Sequence, residues 1–430
     1  MKTLIANCGE IAHLSTGEKD QALSGHEMNN REELIYPKGY GILIENNVIE
    51  RIEDSESLLH EYSNYLDSKN TSSNVRVIDA FGKAIVPGFV DSHNHLVWSG
   101  DRTNELSMRQ HGMSYIDISK KGGGIKKTVE STRKSNIENL VDSGLARVHK
   151  ALINGTTSME VKSGYGLNLE NELKILQAVD LIKNQQTVNI HPTWLGAHDF
   201  PDDKNRKEYI DELVNEQLPK ISEKGLANWV DVFCEPGWYS AEETEYIVKE
   251  SKKYGLESRL HVDEFIDSGG LELATELGSV SGDHVGFSSD SARSNASESG
   301  TMQTFLVGTP YVLNKDINLP FRKCIEEGWK FSVATDFNPN CPIISIPMIG
   351  SILTHRLSLS PLESLIAVTR NPASTIYSGK NMRGVISEGY FADVNILWSD
   401  TVDGWCQTPG STPVSLTIIN GNIVNQNKVY

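Results

Sequence analysis

The middle of the chain alternates apolar runs with longer segments in which apolar residues recur every three or four positions. The apolar runs predict eight β-strands, which lie at residues 84–90, 156–161, 187–195, 229–233, 257–262, 281–285, 301–306 and 330–334. Helical spacing predicts α-helices between most of them, at residues 138–153, 170–182, 207–218 and 241–254. Eight strands that alternate with helices are typical of a (β/α)8 barrel. We therefore expect an α/β protein with such a TIM-type barrel over residues 83–377. The serine-rich segment 288–300 has the composition of a linker, but the barrel requires a helix there, so we predict a helix.

Both ends of the chain instead show short β-strand patterns. They lie at residues 2–6, 41–44, 48–52 and 75–79, and again at 394–398, 414–419 and 422–424. Glu45-Asn46-Asn47 and Asn420-Gly421 have the residues of tight hairpin turns. We therefore expect residues 1–82 and 378–430 to form one small β-sandwich domain beside the barrel, with surface loops at 16–33 and 61–74.

Composition and charge indicate which partners the protein is unsuited to bind and which compartment it occupies. A net charge of −17 disfavours binding to nucleic acid or to an anionic membrane surface. Five cysteines without C-x-x-C spacing suggest free thiols and a reducing compartment. The first 25 residues lack a signal-peptide pattern, and no run of 18 apolar residues would span a membrane. We expect a cytoplasmic protein.

Histidines near the ends of the predicted strands carry the candidate chemistry. Five of the twelve histidines lie there, namely His93, His95, His198, His261 and His284, and Asp336 follows the eighth strand. Alternate residues on a strand project to one side, so His93 and His95 point the same way. With His261 and Asp336 they offer three nitrogens and one carboxylate, which suit Zn²⁺ or Fe²⁺. A lone histidine there is more often structural and a lone aspartate is often a helix cap. The combination favours a metal site at the catalytic end of the barrel.

These motifs resemble a known family. The string VPGFVDSHNH at 86–95 resembles the PGFVDxHxH opening of the amidohydrolase superfamily. Within it, the chain is similar to the imidazolonepropionases over about residues 84–376. That similarity rests on GDR at 100–102, KSGYG at 162–166, LGAH at 195–198, DVFCE at 231–235, LHVDEF at 260–265 and ATDFNP at 334–339.

The resemblance implies hydrolysis of the cyclic amide 4-imidazolone-5-propanoate to N-formimidoyl-L-glutamate in histidine degradation. It also implies a homodimer and one divalent metal, zinc or iron, bound by His93, His95, His261 and Asp336. Many relatives in the superfamily hold two metals with a carboxylated lysine after the fourth strand. Here that strand ends in Phe-Cys-Glu, and Lys162 follows the second strand. We therefore expect a mononuclear site, in which Lys162 has a supporting role.

Three residues are candidates for the catalytic steps. Glu264 lies three residues after His261 and can orient water and move a proton, although an acid at a helix N-terminus is the alternative. His284 can polarise the carbonyl oxygen, or it can be a structural hydrogen bonder. Asp336 could share the proton transfer, and the sequence does not separate it from Glu264.

Other residues are candidates for substrate binding. Arg102 offers a planar match to the propanoate, with a surface salt bridge as the alternative. Tyr165 and Tyr115 are candidate cavity walls, with core packing as the alternative. By resemblance, His198 contacts the ring and Asn338 the product side.

The chain also departs from the family pattern. Many members have a glycine and then a serine or threonine touching the substrate, where this chain has Asn340 and Cys341. Gly286 replaces an acid. These changes leave the metal ligands intact but could reshape the pocket. The alternatives are therefore an amidohydrolase for another cyclic amide and an aromatic-ring deaminase, which shares the ligand set. A non-catalytic barrel is disfavoured by the presence of Glu264, His284 and Asp336.

Overall fold

The computed structural model describes residues 2–18, 20–62, 75–113, 117–118 and 121–427. The strands of these residues, numbered in chain order, are β1 Lys2–Ala6, β2 Ile11–Ala12, β3 Ile35–Tyr36, β4 Tyr40–Glu45, β5 Val48–Asp54, β6 Val75–Asp79, β7 Ile85–Pro87, β8 Phe89–Asp91, β9 Thr156–Lys162, β10 Asn189–Ala197, β11 Trp229–Cys234, β12 Glu257–Val262, β13 Ser281–His284, β14 Met302–Phe305, β15 Phe331–Val333, β16 Val394–Leu397, β17 Val414–Ile419 and β18 Asn422–Gln426.

The α-helices of the same residues are Arg31–Leu34, Ser55–Glu61, Asn104–Gln110, Gly124–Lys134, Ile137–Ile153, Leu169–Gln185, Arg206–Glu212, Leu218–Lys224, Ala241–Lys252, Gly270–Glu276, Asp290–Ser299, Gly308–Val312, Phe321–Glu327, Ile346–Arg356, Pro361–Ala367 and Arg370–Ala373. A π-helical turn, Leu213–Gln217, joins two of them, and 3₁₀ turns lie at Gly25–Asn29, Gly379–Asn381 and Val402–Cys406. None of the described helices has both the length and the apolar character needed to cross a lipid bilayer.

Strands β8 to β15 form one parallel sheet in chain order, with helices between most of them. The first and last strands are joined just past their ends, where the His95 amide donates to the Phe337 carbonyl at 2.8 Å and the Asp336 amide to the His93 carbonyl at 3.1 Å. The Asp91 carboxylate also accepts hydrogen bonds from the amide and the hydroxyl of Thr335, at 3.0 and 2.7 Å. The predicted (β/α)8 barrel is confirmed, and its closure holds two candidate metal-ligand segments together.

The predicted first strand, residues 84–90, is wrong as a single element. Its first half is β7, which pairs with β16 and β2 in a different sheet, and its second half is β8 of the barrel. Gly88 lies between them, where a Cβ would be 2.2 Å from the Thr157 hydroxyl. Both halves are fully buried, so the run of apolar residues gives no sign that the chain changes sheet.

The chain ends form two further sheets beside the barrel. One has the order β5-β4-β1-β6 and the other β18-β17-β16-β7-β2-β3. They share a core that includes Ile5, Ile42 and Ile418. The Asn46-Asn47 and Asn420-Gly421 turns have positive φ angles, as two-residue hairpin loops require. The domain boundaries stay a prediction, and β7 lies in the six-stranded sheet although it falls within 83–377.

Two loop predictions have different outcomes. The segment 16–33 is not merely a surface loop, because Leu23 and Met28 are buried and the Arg370 guanidinium donates to its main-chain carbonyls. Arg370, which is far away in the sequence, thus holds the main chain of the segment 16–33 in place. The composition of the segment itself gives no sign of this contact. The other segment, 61–74, lies mostly outside the described residues. The helix predicted at 288–300 is confirmed as Asp290–Ser299.

Candidate metal centre and active site

Three histidines and one aspartate converge at the C-terminal end of the barrel. The Nε2 atoms of His93 and His95 each lie 3.7 Å from Asp336 Oδ1, and His95 Nε2 lies 3.4 Å from His261 Nε2. Ligands of one tetrahedral ion with bonds of about 2.0–2.1 Å are roughly 3.3 Å apart. His93 Nε2 is buried and has no hydrogen-bond partner among the described residues. Ligand atoms of His93, His95 and Asp336 lie within 4.8 Å of one another, and so do those of His93, His261 and His284, so the cluster offers the donors of a metal site.

The protonation of these side chains suits metal binding. Burial lowers the pKa of His93 and of His95 well below the ordinary value, so both rings are neutral and can donate a lone pair. Burial raises the pKa of Asp336 to about 6, against hydrogen bonds from Thr309 and Asn338 that favour its charged form. The same two side chains fix the orientation of the Asp336 carboxylate.

Two buried aspartates orient the histidine ligands. Asp283 Oδ2 lies 2.6 Å from His93 Nδ1, and Asp231 Oδ2 lies 3.0 Å from His261 Nδ1. A carboxylate at Nδ1 favours a proton on that nitrogen, which leaves Nε2 as the metal-binding atom. The His93 Nδ1–Asp283 hydrogen bond therefore favours the His93 tautomer that leaves Nε2 for a metal.

Lys162 neutralises these aspartates. Its Nζ atom lies 2.8 Å from Asp231, 3.0 Å from Glu160 and 3.7 Å from Asp283, and all four side chains are inaccessible to solvent. Burial alone would lower the pKa of Lys162, but the three carboxylates outweigh burial and raise it above the ordinary value. An ammonium held in this way is not free to be carboxylated. Lys162 is thus the buried counter-ion of the two aspartates that contact the histidine cluster, and the number of metal ions stays a prediction.

Glu264 and His284 face each other beside the cluster. Glu264 Oε2 lies 3.6 Å from His284 Nε2. Burial lowers the pKa of His284 well below its ordinary value, so the ring is neutral. Burial, and then the charges of Asp336 and Glu235, raise the pKa of Glu264 well above its ordinary value. Glu264 can thus hold a proton at higher pH than an exposed glutamate, as an acid–base group needs.

An open cavity of about 660 Å³ adjoins the cluster. Of the predicted binding residues, it is lined by Arg102, Tyr165, His198, Asn338 and Asn340. His198 Nδ1 lies 3.0 Å from the Gly164 carbonyl, and burial lowers the pKa of His198 to about 3. The ring is therefore neutral with its proton on Nδ1, which leaves Nε2 to accept a hydrogen bond from a ligand.

Arg102 lines the cavity but is already paired. Its Nε and Nη2 atoms donate to the two carboxylate oxygens of Glu105 at 2.9 and 2.8 Å. Both side chains are nearly inaccessible, so the alternative of a surface salt bridge is wrong. Glu105 also accepts the Gly124 amide at 2.9 Å and so links the helix Asn104–Gln110 to the start of the helix Gly124–Lys134.

Two further predicted binding residues have different outcomes. The Cys341 side chain is buried away from the cavity, with its thiol 3.7 Å from the Thr335 carbonyl. The reason is a turn in which Asn338 Oδ1 accepts the amides of Asn340 and Cys341 and directs the thiol inward. Tyr115 lies outside the described residues.

Sequence reasoning missed several residues of the site. They are Glu105, Arg109, Asp231, Asp283 and Thr309. An acid within an apolar strand, as at Asp231 and Asp283, is a signal that could have been used. No pattern marked Arg109, which is brought to the cavity by tertiary packing.

Comparisons with known proteins identify the family that this chain resembles. The model of the amidohydrolase family matches residues 84–424. The chain is 40% identical over 343 residues to an imidazolonepropionase of Symbiobacterium thermophilum, covering 78% of this chain and 80% of that protein. It is 36% identical over 428 residues to an imidazolonepropionase of Bacillus cereus, covering 98% of this chain and 96% of that protein.

Solved structures show the same fold. The chain superposes on a 5-methylcytosine deaminase of Klebsiella pneumoniae with a TM-score of 0.70 at 16% identity, covering 100% of this chain and 98% of that one. A triazine hydrolase variant also gives a TM-score of 0.70, at 15% identity, covering 99% and 95%. At these identities the structural similarity concerns the fold alone. The match of the family model, together with the close relatives, shows that this chain belongs to the amidohydrolase family and, within it, to the imidazolonepropionases.

Proposed function

We propose that this protein hydrolyses the cyclic amide bond of 4-imidazolone-5-propanoate to give N-formimidoyl-L-glutamate, a step of histidine degradation. The relatives that carry the name imidazolonepropionase support this assignment. The observation that carries it is a cluster of neutral imidazoles and a carboxylate that opens into a cavity with an acid–base group beside it.

His93, His95, His261 and Asp336 would hold one divalent metal, zinc or iron. Three nitrogens and one oxygen at these spacings suit either ion. A metal bound there supplies a Lewis acid and lowers the pKa of water toward neutrality. The ammonium of Lys162 supports a count of one, because it occupies the interior of the barrel as a cation between carboxylates.

Glu264 and His284 would serve the chemical steps. Glu264 takes the proton of the attacking water and delivers it to the ring nitrogen when the C–N bond breaks. His284, being neutral, donates an N–H bond to the carbonyl oxygen as negative charge develops there. Asp336 is the alternative for the proton transfer, since burial raises its pKa to about 6.

The cavity suits a small anionic ring. His198 Nε2 can accept a ring N–H, and Tyr165 lies beside it, with ring centroids 5.3 Å apart. Two arginines line the cavity and are candidates to bind the propanoate, namely Arg102, which is paired with Glu105, and Arg109, which donates to Asn340. Asn338 donates to Asp336 and faces the same space, so it can contact the product end.

The test is direct. Purified protein loaded with zinc or iron is mixed with 4-imidazolone-5-propanoate, and N-formimidoyl-L-glutamate is followed by mass spectrometry. We expect turnover by the wild type and its loss in Glu264→Gln with the bound metal retained. Absence of turnover by metal-loaded protein would overturn the proposal.

A second candidate is hydrolysis of another cyclic amide or deamination of an aromatic ring. The observation that favours it is Asn340, which lines the cavity at a position where the family resemblance implies glycine. The same assay with cytosine-type and other cyclic amide substrates distinguishes the two. Turnover of one of these with none of 4-imidazolone-5-propanoate would favour this candidate.

We also propose a cytoplasmic homodimer. All five cysteines are buried free thiols, as expected in a reducing compartment. Size-exclusion chromatography with light scattering tests the dimer, and a monomer mass at micromolar concentration would contradict it.

A further inference from the structure

The loop at residues 163–167 follows strand β9 and forms one side of the cavity. It carries Tyr165, whose side chain lines the cavity. Its Gly164 carbonyl accepts a hydrogen bond from Nδ1 of His198 at 3.0 Å. The His198 ring lies 5.3 Å from that of Tyr165 and is stacked on that of His95 at 5.1 Å, measured between centroids. The path of this loop therefore decides where one wall of the cavity lies and which nitrogen of His198 can accept a hydrogen bond.

One buried carboxylate holds the main-chain amides of this loop. Glu172 lies in the first turn of the next helix, Leu169–Gln185, and its side chain is inaccessible to solvent. Its Oε2 accepts the Gly164 amide at 3.0 Å, and its Oε1 accepts the amides of Gly166 and Leu167 at 2.6 and 3.0 Å. Because each bond restrains one peptide plane, the carboxylate fixes the main chain on both sides of the tyrosine.

An arginine holds the carbonyls of the same loop. Arg133, in the last turn of the helix Gly124–Lys134, donates from Nε to the Gly166 carbonyl at 2.7 Å and from Nη2 to the Leu167 carbonyl at 2.8 Å. Neither Arg133 nor Glu172 is among the described residues of the cavity wall. Two charged side chains from different helices therefore act on the cavity only through the loop that they hold.

The backbone of the loop depends on these contacts. Gly164 has a φ of 109°, and a Cβ there would lie 2.8 Å from His198 Nδ1. Leu167 has a φ of 48°, in the left-handed region that residues with side chains seldom adopt. Such a conformation persists only where the surroundings fix it. Here Glu172 binds the amide of Leu167 and Arg133 binds its carbonyl.

We propose that Glu172 and Arg133 are positioning residues for the ring of the substrate and act through the loop at residues 163–167. Glu172 keeps the Gly164 carbonyl at Nδ1 of His198, so that Nε2 stays the acceptor for a ring N–H. The proposal rests on the proposed function and deepens it, because it makes a ring N–H group, which every secondary cyclic amide has, the feature that this side of the cavity selects.

Binding of a non-hydrolysable ring tests the proposal. Calorimetry on the metal-loaded protein measures the affinity for 3-(imidazol-4-yl)propanoate, which has a ring N–H, and for its two N-methylated forms, which have none. Glu172→Gln keeps the size of the side chain but turns an amide NH₂ toward the loop, so one loop amide loses its acceptor. We expect this variant to bind the N–H ligand about tenfold more weakly than the wild type and to lose most of the preference over the methylated forms.

Glu363→Gln is the matched control. Glu363 also lies in the first turn of a helix, Pro361–Ala367, is 2% exposed and accepts a main-chain amide, that of Ser360, at 2.7 Å. It is not among the described residues of the cavity wall, so its replacement should leave ligand affinity unchanged. Equal weakening in both variants, or a destabilised Glu172→Gln with the affinity of the wild type, would overturn the proposal.

Arg133→Met tests the loop from its other side, and it decides the matter if Glu172→Gln does not fold. Arg133 is only half-buried, and its replacement removes both donors to the loop carbonyls. We expect weaker binding of the N–H ligand in Arg133→Met and partial recovery in Arg133→Lys, which can still donate to one carbonyl. Unchanged affinity in Arg133→Met would contradict the proposal.

Two further readouts separate positioning from a purely structural role. The ¹⁵N chemical shifts of the His198 ring, identified by their absence in His198→Asn, report the tautomer. We expect the proton on Nδ1 in the wild type and a mixture of tautomers in Glu172→Gln, whereas a proton on Nε2 in the wild type would overturn the proposal. With 4-imidazolone-5-propanoate, Glu172→Gln should raise KM about tenfold and change kcat less, and a fall in kcat at constant KM would contradict a binding role.

Failure of this proposal and failure of the proposed function are distinguishable. If the metal-loaded wild type shows no turnover, the proposed function fails, and the calorimetric comparison still decides the role of Glu172. If the wild type turns over 4-imidazolone-5-propanoate but binds the N–H ligand and both methylated forms equally, the proposed function stands and the positioning role of Glu172 is refuted.

Discussion

Replacing Lys162 by methionine should weaken both the fold and the metal site. Methionine keeps the length of the side chain but removes the ammonium that lies between Glu160, Asp231 and Asp283. Removing one partner of a buried ion pair typically costs about 3–5 kcal/mol, because the other partner stays buried and uncompensated. Here two carboxylates within 3.0 Å lose their cation. We therefore expect the free energy of unfolding to fall by about 3–5 kcal/mol at pH 7.

The same substitution should also weaken metal binding. Asp231 and Asp283 orient His261 and His93, respectively. Without the lysine, the two aspartates would repel each other or take up a proton. Groups that orient metal ligands typically contribute about 10–100-fold to metal affinity. We expect zinc affinity to fall by about that factor in Lys162→Met.

Urea unfolding of the protein after its metal has been removed with a chelator measures the change in the free energy of unfolding. Competition with a chromophoric chelator measures the change in zinc affinity. The matched control is Lys249→Met, which removes an exposed pair with Glu245 and should cost less than about 0.5 kcal/mol. A loss below about 1 kcal/mol in Lys162→Met, with unchanged zinc affinity, would refute the role given to this lysine. Two metal equivalents in the wild type and one in the variant would instead indicate a carboxylated, bridging lysine.

Three further predictions concern the acid–base group, its neighbour and the start of the barrel. Glu264→Gln should lower kcat by about 10²–10⁴-fold with unchanged metal content by elemental analysis, and an unaltered kcat would exclude it from proton transfer. Burial raises the pKa of Glu235 from 4.5 to about 7. Between these pH values the folded state keeps a proton that the unfolded state has lost, so the free energy of unfolding falls as the pH rises from about 4.5 to about 7. Urea unfolding from pH 4.5 to 8 should show a shallower decline in Glu235→Gln, and an identical slope would refute this origin. Gly88→Ala places a Cβ 2.2 Å from the Thr157 hydroxyl and should lower the free energy of unfolding by about 1–3 kcal/mol, whereas a neutral result would mean that the two strands separate at little cost.

Much of the fold follows from local pattern. Strands β1, β6, β12 and β17 begin and end where the apolar pattern predicts, because turn-forming or polar residues bound them. Strands β2 and β3 were not predicted, since two residues each are too few to show a period. The division between β7 and β8 was missed because periodicity reports burial and not which sheet buries a residue.

The candidate site was predictable only in part. The ligands could be proposed because a barrel brings the ends of distant strands to one face. Lys162 and Asp231 meet inside the barrel from neighbouring parts of different strands, and strand pattern alone does not say which buried charges will compensate each other. The pairing of Arg102 with Glu105 follows the i, i+3 spacing that brings side chains together at a helix, so it is a contact that local pattern does predict.

The backbone at the ends of the barrel strands explains why the chemistry lies there. His284, Val285 and Asp336 have φ angles of 77°, 47° and 52°, in the left-handed region that residues with side chains seldom adopt. Each such residue costs about 1–3 kcal/mol and persists only where its surroundings fix it. The surroundings do so here, because the Val285 amide donates to β12 at 3.0 Å and the Asp336 amide to the His93 carbonyl at 3.1 Å. At His284 and Asp336, glycine would relieve this strain but would remove the imidazole or the carboxylate. The strain is therefore retained because a sharp turn at the end of a rigid strand directs a functional side chain toward the barrel axis, where the other ligands lie.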